Sequence, residues 1–129
     1  MKSRENLLRL KHFQVEDKTR QLAQIDMMIA EFERMNDDLE SQIKIEEEKA
    51  GITDTSHFAY PTFAKAARQR QNNLQDSIND LTEKRVNAEA ALQEADEELK
   101  KAQKLEARDG SPVIAEESDE LAESRAMIG

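Results

Sequence analysis

The chain has no cysteine and no tryptophan, and only three glycines, two prolines and one tyrosine in 129 residues. Without cysteine there is no disulfide and no thiolate metal site. Three glycines, at 51, 110 and 129, cannot build a phosphate-cradling loop, and neither GxxxxGK nor GxGxxG occurs. Few breakers also mean few reversals, so the chain must run long distances in one direction. No apolar run approaches the roughly 20 residues that span a bilayer, and the opening MKSRENLLRLKHF is too interrupted by charge for a signal-peptide core. The expectation is a cytoplasmic protein. His12 and His57 lie far apart along the sequence and cannot share a metal or form an acid–base pair if the chain between them is helical. No nucleophile–base pair or concave site is evident, so neither catalysis nor a cofactor or metal is expected.

What the chain does contain is charge, at 36% of residues, with aromatics at 4% and a net charge of -9. That balance argues against a nucleic-acid binder, even though Arg68 and Arg70 follow an aromatic cluster. The charge is unevenly placed. Residues 1–20 carry six basic and three acidic side chains, and 51–75 three and one; 21–50 carry three and nine, 76–110 six and ten, and 111–129 one and five.

Apolar residues recur at heptad spacing. With a at Leu8, Val15, Leu22, Ile29, Asn36, Ile43 and Ala50, the d positions are Arg4, Lys11, Lys18, Ile25, Phe32, Leu39 and Glu46. Asn36 interrupts the seam, as a single Asn does where it sets register. Met27, Met28 and Met35 flank the seam and are read as gap-filling core residues in preference to a promiscuous binding face, the other use of a Met stripe. The run Glu46 to Glu48 reads as a solvated face. A second seam has d at Tyr60, Ala67, Leu74, Leu81, Ala88, Ala95 and Ala102, and a at Ala64, Gln71, Ile78, Arg85, Leu92, Leu99 and Glu106.

Ser3 is the expected N-cap of the first helix, Gly51 its stop and Pro61 the first position of the second. The fold class expected is all-α: a long two-helix antiparallel coiled-coil hairpin over 1–110, with a helix at about 3–50, a connection at 51–60 and a helix at about 61–108. Each helix would be a rod of roughly 70 Å at about 1.5 Å per residue. Residues 111–129 are expected to form a flexible, disordered acidic tail. Antiparallel pairing brings Arg4, Arg9 and Lys11 near Lys100, Lys101, Lys104 and Arg108, a basic base beneath an acidic shaft. Leu10, at a c position, should be exposed in a lone hairpin.

Three strings, MKSRENLLRLKHFQV, AQIDMMIAEFERM and HFAYPTFAKAARQR, resemble the flagellar export protein FliJ family in its alphaproteobacterial form, over about residues 1–109. HFAYPT is the most specific of these. The resemblance implies a soluble, non-catalytic component of the flagellar type III protein export apparatus that serves motility. It would be peripheral to the membrane only through that apparatus. The implied partners are the hexameric export ATPase, the cytoplasmic domain of the export gate and export chaperones, which the protein would escort. Carried onto this chain, the gate side falls on Phe58, Tyr60, Pro61, Phe63, Ala67 and Arg68. The ATPase side falls on Leu7, Leu8, Arg9, Leu10 and Phe13, with Lys101 and Lys104. The tip aromatics have a second reading, as a plug that buries its rings on Ile52 and Ala64. A coiled-coil scaffold or oligomerisation module without an ATPase partner is the alternative for the whole chain.

Overall fold

The computed structural model describes residues 2–109, and the expected tail at 111–129 lies outside them. Two helices account for nearly all of the described chain: α1 at Lys2–Ala50 and α2 at Thr62–Asp109. The chain divides into a turn unit, Gln21–Asn87, and a terminal unit that pairs the described residues up to Arg20 with those from Ala88 onward. In each unit one stretch of α1 packs antiparallel on one stretch of α2. Among the described residues no helix is long and apolar enough to cross a membrane.

The heptad pattern places the contacts in both units. Every a and d residue from Arg4 to Glu46 in α1, and from Tyr60 to Glu106 along the second seam, is buried or half-buried. Lys11 tolerates its d position because its ammonium reaches Glu98 at 3.6 Å. Arg85, at a, does so by a two-pronged contact with Asp26, which raises the guanidinium pKa chiefly through that hydrogen bond. In the terminal unit the seam of α2 buries Leu99 between the alanines Ala95 and Ala102.

α1 stops where a side chain becomes intolerable. Gly51 has φ +69°, in the left-handed region where only glycine is unstrained. Its N–H reaches the carbonyls of Glu47 (2.8 Å) and Glu48 (3.3 Å), while Ile52 N–H also donates to Glu47 (3.3 Å). This is the six-to-one, five-to-two closure of a Schellman motif. At the other end Ser3 does not cap α1, because the helix already includes Lys2. Pro61 supplies the first helical acceptor of α2, to Lys65 N–H at 3.0 Å, so it is the cap residue and Thr62 begins the helix. It needs no N–H in that place.

Two further expectations change. Met27, Met28 and Met35 are 72%, 47% and 37% exposed, so they do not fill the core: the a and d residues already close the seam. Glu47 is buried at 8% exposure, so the acidic run is not a uniformly solvated face.

Asn36 does interrupt the seam, at a cost. Its main-chain carbonyl accepts from Gln71 Nε2 at 3.4 Å, but its side-chain Oδ1 is buried with no hydrogen-bond partner. A groove of about 360 Å³ lined by Ile29, Asn36, Gln75 and Ile78 opens beside it. A buried acceptor without a donor costs about 1–3 kcal/mol. Asn36→Leu is therefore expected to raise Tm by about 4–8 °C, the shift that ~1 kcal/mol produces in a domain of this size. Thermal circular dichroism reads this directly, and a lower Tm would mean that the amide makes a contact that matters more than its orphaned oxygen.

Candidate partner-binding surfaces

In the turn unit, the connection at 51–61 is held by its own hydrogen bonds. Asp54 accepts from Ser56 N–H (3.0 Å) and Oγ (2.7 Å), and the Ser56 hydroxyl is the first cause of the lowered pKa of its carboxyl. His57 N–H donates to the Asp54 carbonyl (3.1 Å) and Tyr60 N–H to the His57 carbonyl (3.0 Å). His57 Nδ1 accepts Ala59 N–H at 3.0 Å, and its ring stacks on Phe58 at 4.8 Å.

This loop sorts the three aromatics of the tip. Tyr60 points inward and joins Ile43, Ala64 and Ala67 in a core cluster flanked by Leu39 and Ile52. Phe58 is 96% exposed and Phe63 51%. Of the other residues placed on the gate side, Ala67 is buried, Pro61 and Arg68 are half-buried. The aromatic plug is thus Tyr60 alone, while Phe58 and Phe63 are each exposed.

Tyr60 carries a polar network into the core. Its hydroxyl donates to Glu47 Oε2 at 2.8 Å and accepts from Arg68 Nε at 3.1 Å. Arg68 also reaches Glu47 Oε2 at 3.1 Å and lies 3.9 Å from Glu40, which accepts from Gln71 Nε2 at 2.9 Å. Glu47, Glu40 and Gln71 were missing from the sequence-based site. A signal for the two glutamates existed: both occupy e positions, four residues after Ile43 and Asn36, on the flank of the seam. The Tyr60 hydroxyl, then Arg68, hold the Glu47 carboxyl below its ordinary pKa. Burial, then the bond to Glu47, push Tyr60 up, and Tyr60 and Glu47 raise Arg68.

The sign of the pH effect follows. The lowered Glu47 pKa adds stability that is complete above the unfolded carboxyl value of about 4.3. That stability is lost as pH falls through the lower folded value. The raised Tyr60 pKa adds stability that is complete below about 10 and lost as pH rises through the folded value. Glu47→Gln is expected to lower Tm at pH 7, with the difference from the parent shrinking as pH falls below about 4. An equal difference at pH 7 and pH 3 would show that the carboxylate charge is not what the network uses.

The terminal unit holds the residues assigned to the ATPase side. Leu8 is half-buried in the seam, whereas Arg9, Lys101 and Lys104 are exposed. Leu7, Leu10 and Phe13 are 39%, 49% and 56% exposed, and Leu105 of α2 45%. Leu10 is thus exposed, as its c position requires. Spaced three apart, Leu7, Leu10 and Phe13 are successive neighbours on the helix surface, and the guanidinium of Arg20 covers the Phe13 ring at 5.9 Å. Among the described residues no group of three or more His, Cys, Asp or Glu side chains is placed to hold a metal ion.

Comparison with family models, curated proteins and solved structures found no match to this chain.

Proposed function

We propose that this chain is a non-catalytic coupler in a flagellar type III export apparatus, which engages the export ATPase through its terminal unit and the cytoplasmic domain of the export gate through its turn unit. The observation that carries the reading is the presentation of two separate apolar sets on a highly charged helical pair. Leu7, Leu10 and Phe13 are exposed in the terminal unit, Phe58 and Phe63 in the turn unit. Exposed apolar clusters on a charged surface mark contact sites. The resemblance of the MKSRENLLRLKHFQV and HFAYPTFAKAARQR strings to the FliJ family falls on these same two sets. Escort of export chaperones and residence in the cytoplasm beside the inner-membrane apparatus belong to the same proposal.

Within it, Tyr60, Ala67 and Arg68 hold the shape of the turn unit, and Phe58 and Phe63 make the contact. The export ATPase hexamer, assayed with the purified chain at micromolar concentration, is expected to hydrolyse ATP faster than alone. An unchanged rate would count against the ATPase partner.

The scaffold alternative has its own support in the exposed Met27 and Met28 and in Val86, 63% exposed, all in the turn unit. Light scattering distinguishes it: a concentration-independent dimer or larger species, with no effect on the ATPase, would favour a scaffold.

A further inference from the structure

The two flanks of the seam in the turn unit differ in how far their side chains are satisfied. On the e flank the carboxylates of Glu40 and Glu47 are taken up by Arg68, Gln71 and Tyr60. On the g flank Met28, Met35 and Phe63 are 47%, 37% and 51% exposed. Arg70, also at g, is an exposed cation with no hydrogen bond or ion pair among the described residues. Next to g around α1 lie the c positions, where Ile45 is 52% exposed and Asp38 is exposed and equally without a polar partner among the described residues. Apolar side chains left open in this way on a charged helix mark a contact.

The register fixes what an occupant must offer. Arg68 lies 3.9 Å from Glu40, which places residue 70 of α2 level with residue 38 of α1, and the bond from Gln71 to the Asn36 carbonyl agrees within one residue. By the same register Phe63 is level with Ile45, Ser77 with Glu31 and Lys84 with Gln24. The g row of α2 and the c row of α1 are thus complementary at every step: ring with aliphatic side chain, guanidinium with carboxylate, hydroxyl with carboxylate, ammonium with amide oxygen. Within one chain the rows do not meet. A second copy related by a two-fold axis parallel to the helices lays α2 of each copy on α1 of the other at the same level, so that every pair is made twice. A two-fold axis across the helices would lay α2 on α2 and set the cations Arg70 and Lys84 against their own kind, which charge repulsion disfavours.

We propose that the g flank of the turn unit binds the same flank of a second copy, with Arg70 paired to Asp38 of that copy, Phe63 packed on its Ile45, and Met28 and Met35 enclosed between the two. So short a row of contacts falls at the small end of protein interfaces, so pairing is reversible on dilution. The proposal does not rest on the coupler reading, and its test uses the chain alone, so either can fail while the other stands. On the coupler reading, a second copy and the gate domain compete for Phe63.

Sedimentation equilibrium of the full chain is expected to show a monomer at about 1 µM and a dimer at about 100 µM, as a dissociation constant of about 10 µM requires. Arg70→Glu and Asp38→Arg each set like charges across the two-fold axis and should each weaken the dimer at least tenfold. Helical circular dichroism should be kept in both, since neither side chain has a polar contact within the chain to lose. Mixed in equal amounts, the two variants should form a heterodimer about as tight as the parent dimer, because opposite charges then meet at both positions. A parent chain that stays monomeric at about 100 µM, single variants that dimerise as the parent does, a mixture no tighter than its components, or association that continues beyond a dimer would overturn the proposal.

Discussion

Replacing Ile43 by alanine is expected to lower the Tm of the chain by about 10 °C or more. Ile43 is wholly inaccessible, the only large side chain among the described residues that is, and it forms the centre of the cluster with Tyr60, Ala64 and Ala67. Ile→Ala at a buried site costs about 2–5 kcal/mol, and each ~1 kcal/mol moves Tm by about 4–8 °C in a domain of this size. Two features keep the cost from being absorbed. The facing residues Ala64 and Ala67 have no side-chain freedom with which to fill the space. The Tyr60 ring is also tied by its hydroxyl to Glu47 and Arg68, so it cannot follow the cavity without breaking that network. Thermal circular dichroism at 222 nm gives the result. A shift of only a degree or two would mean that the cluster does not hold the turn together.

The second large effect separates surface from core among the tip aromatics. Phe58→Ala with Phe63→Ala should leave helicity and Tm nearly unchanged, since both rings are more than half exposed and surface changes away from special contacts fall within about 0.5 kcal/mol. On the coupler proposal, the same double variant weakens binding to the export gate domain at least tenfold, the factor that ~1.4 kcal/mol represents. The few side chains that anchor an interface cost about 2 kcal/mol or more each when truncated. Tyr60→Ala should do the opposite, with Tm falling steeply. Calorimetric titration of the gate domain with each variant, beside its melting curve, resolves the two roles. Unchanged binding by the Phe58, Phe63 pair would remove the gate contact from this surface.

The fold was legible because a two-helix chain has only one degree of freedom that matters, the heptad phase. Once Leu8 was placed at a, the residues from Arg4 to Glu46 fell into place, and Tyr60 did the same for α2. The basic d positions Lys11 and Lys18 show that the phase outweighs the chemistry of a single residue, provided a long side chain can reach solvent or a partner. Gly51 was legible for a similar reason, since little else stops a helix of this composition.

The loop was less legible. Phe58, Tyr60 and Phe63 are alike in composition, and no periodicity covers a non-helical connection, so the sequence left open which rings were buried. The Asp54 and His57 turns decide it by setting where each ring points. The methionines and Glu47 were misread for one shared reason. Flank positions beside a seam are buried or exposed according to the partner across from them. Glu47 meets Tyr60 and Arg68 on its flank, whereas the side chains of Met28 and Met35, at g, remain open to solvent.

The coupler account requires that one chain hold two partners at once. Sedimentation velocity of the chain mixed with the export ATPase hexamer and the export gate domain tests this most directly. The account predicts a species containing all three, whose amount falls when Phe58 and Phe63 are both changed to alanine. Two binary complexes that exclude one another, with no ternary species at any ratio, would contradict it.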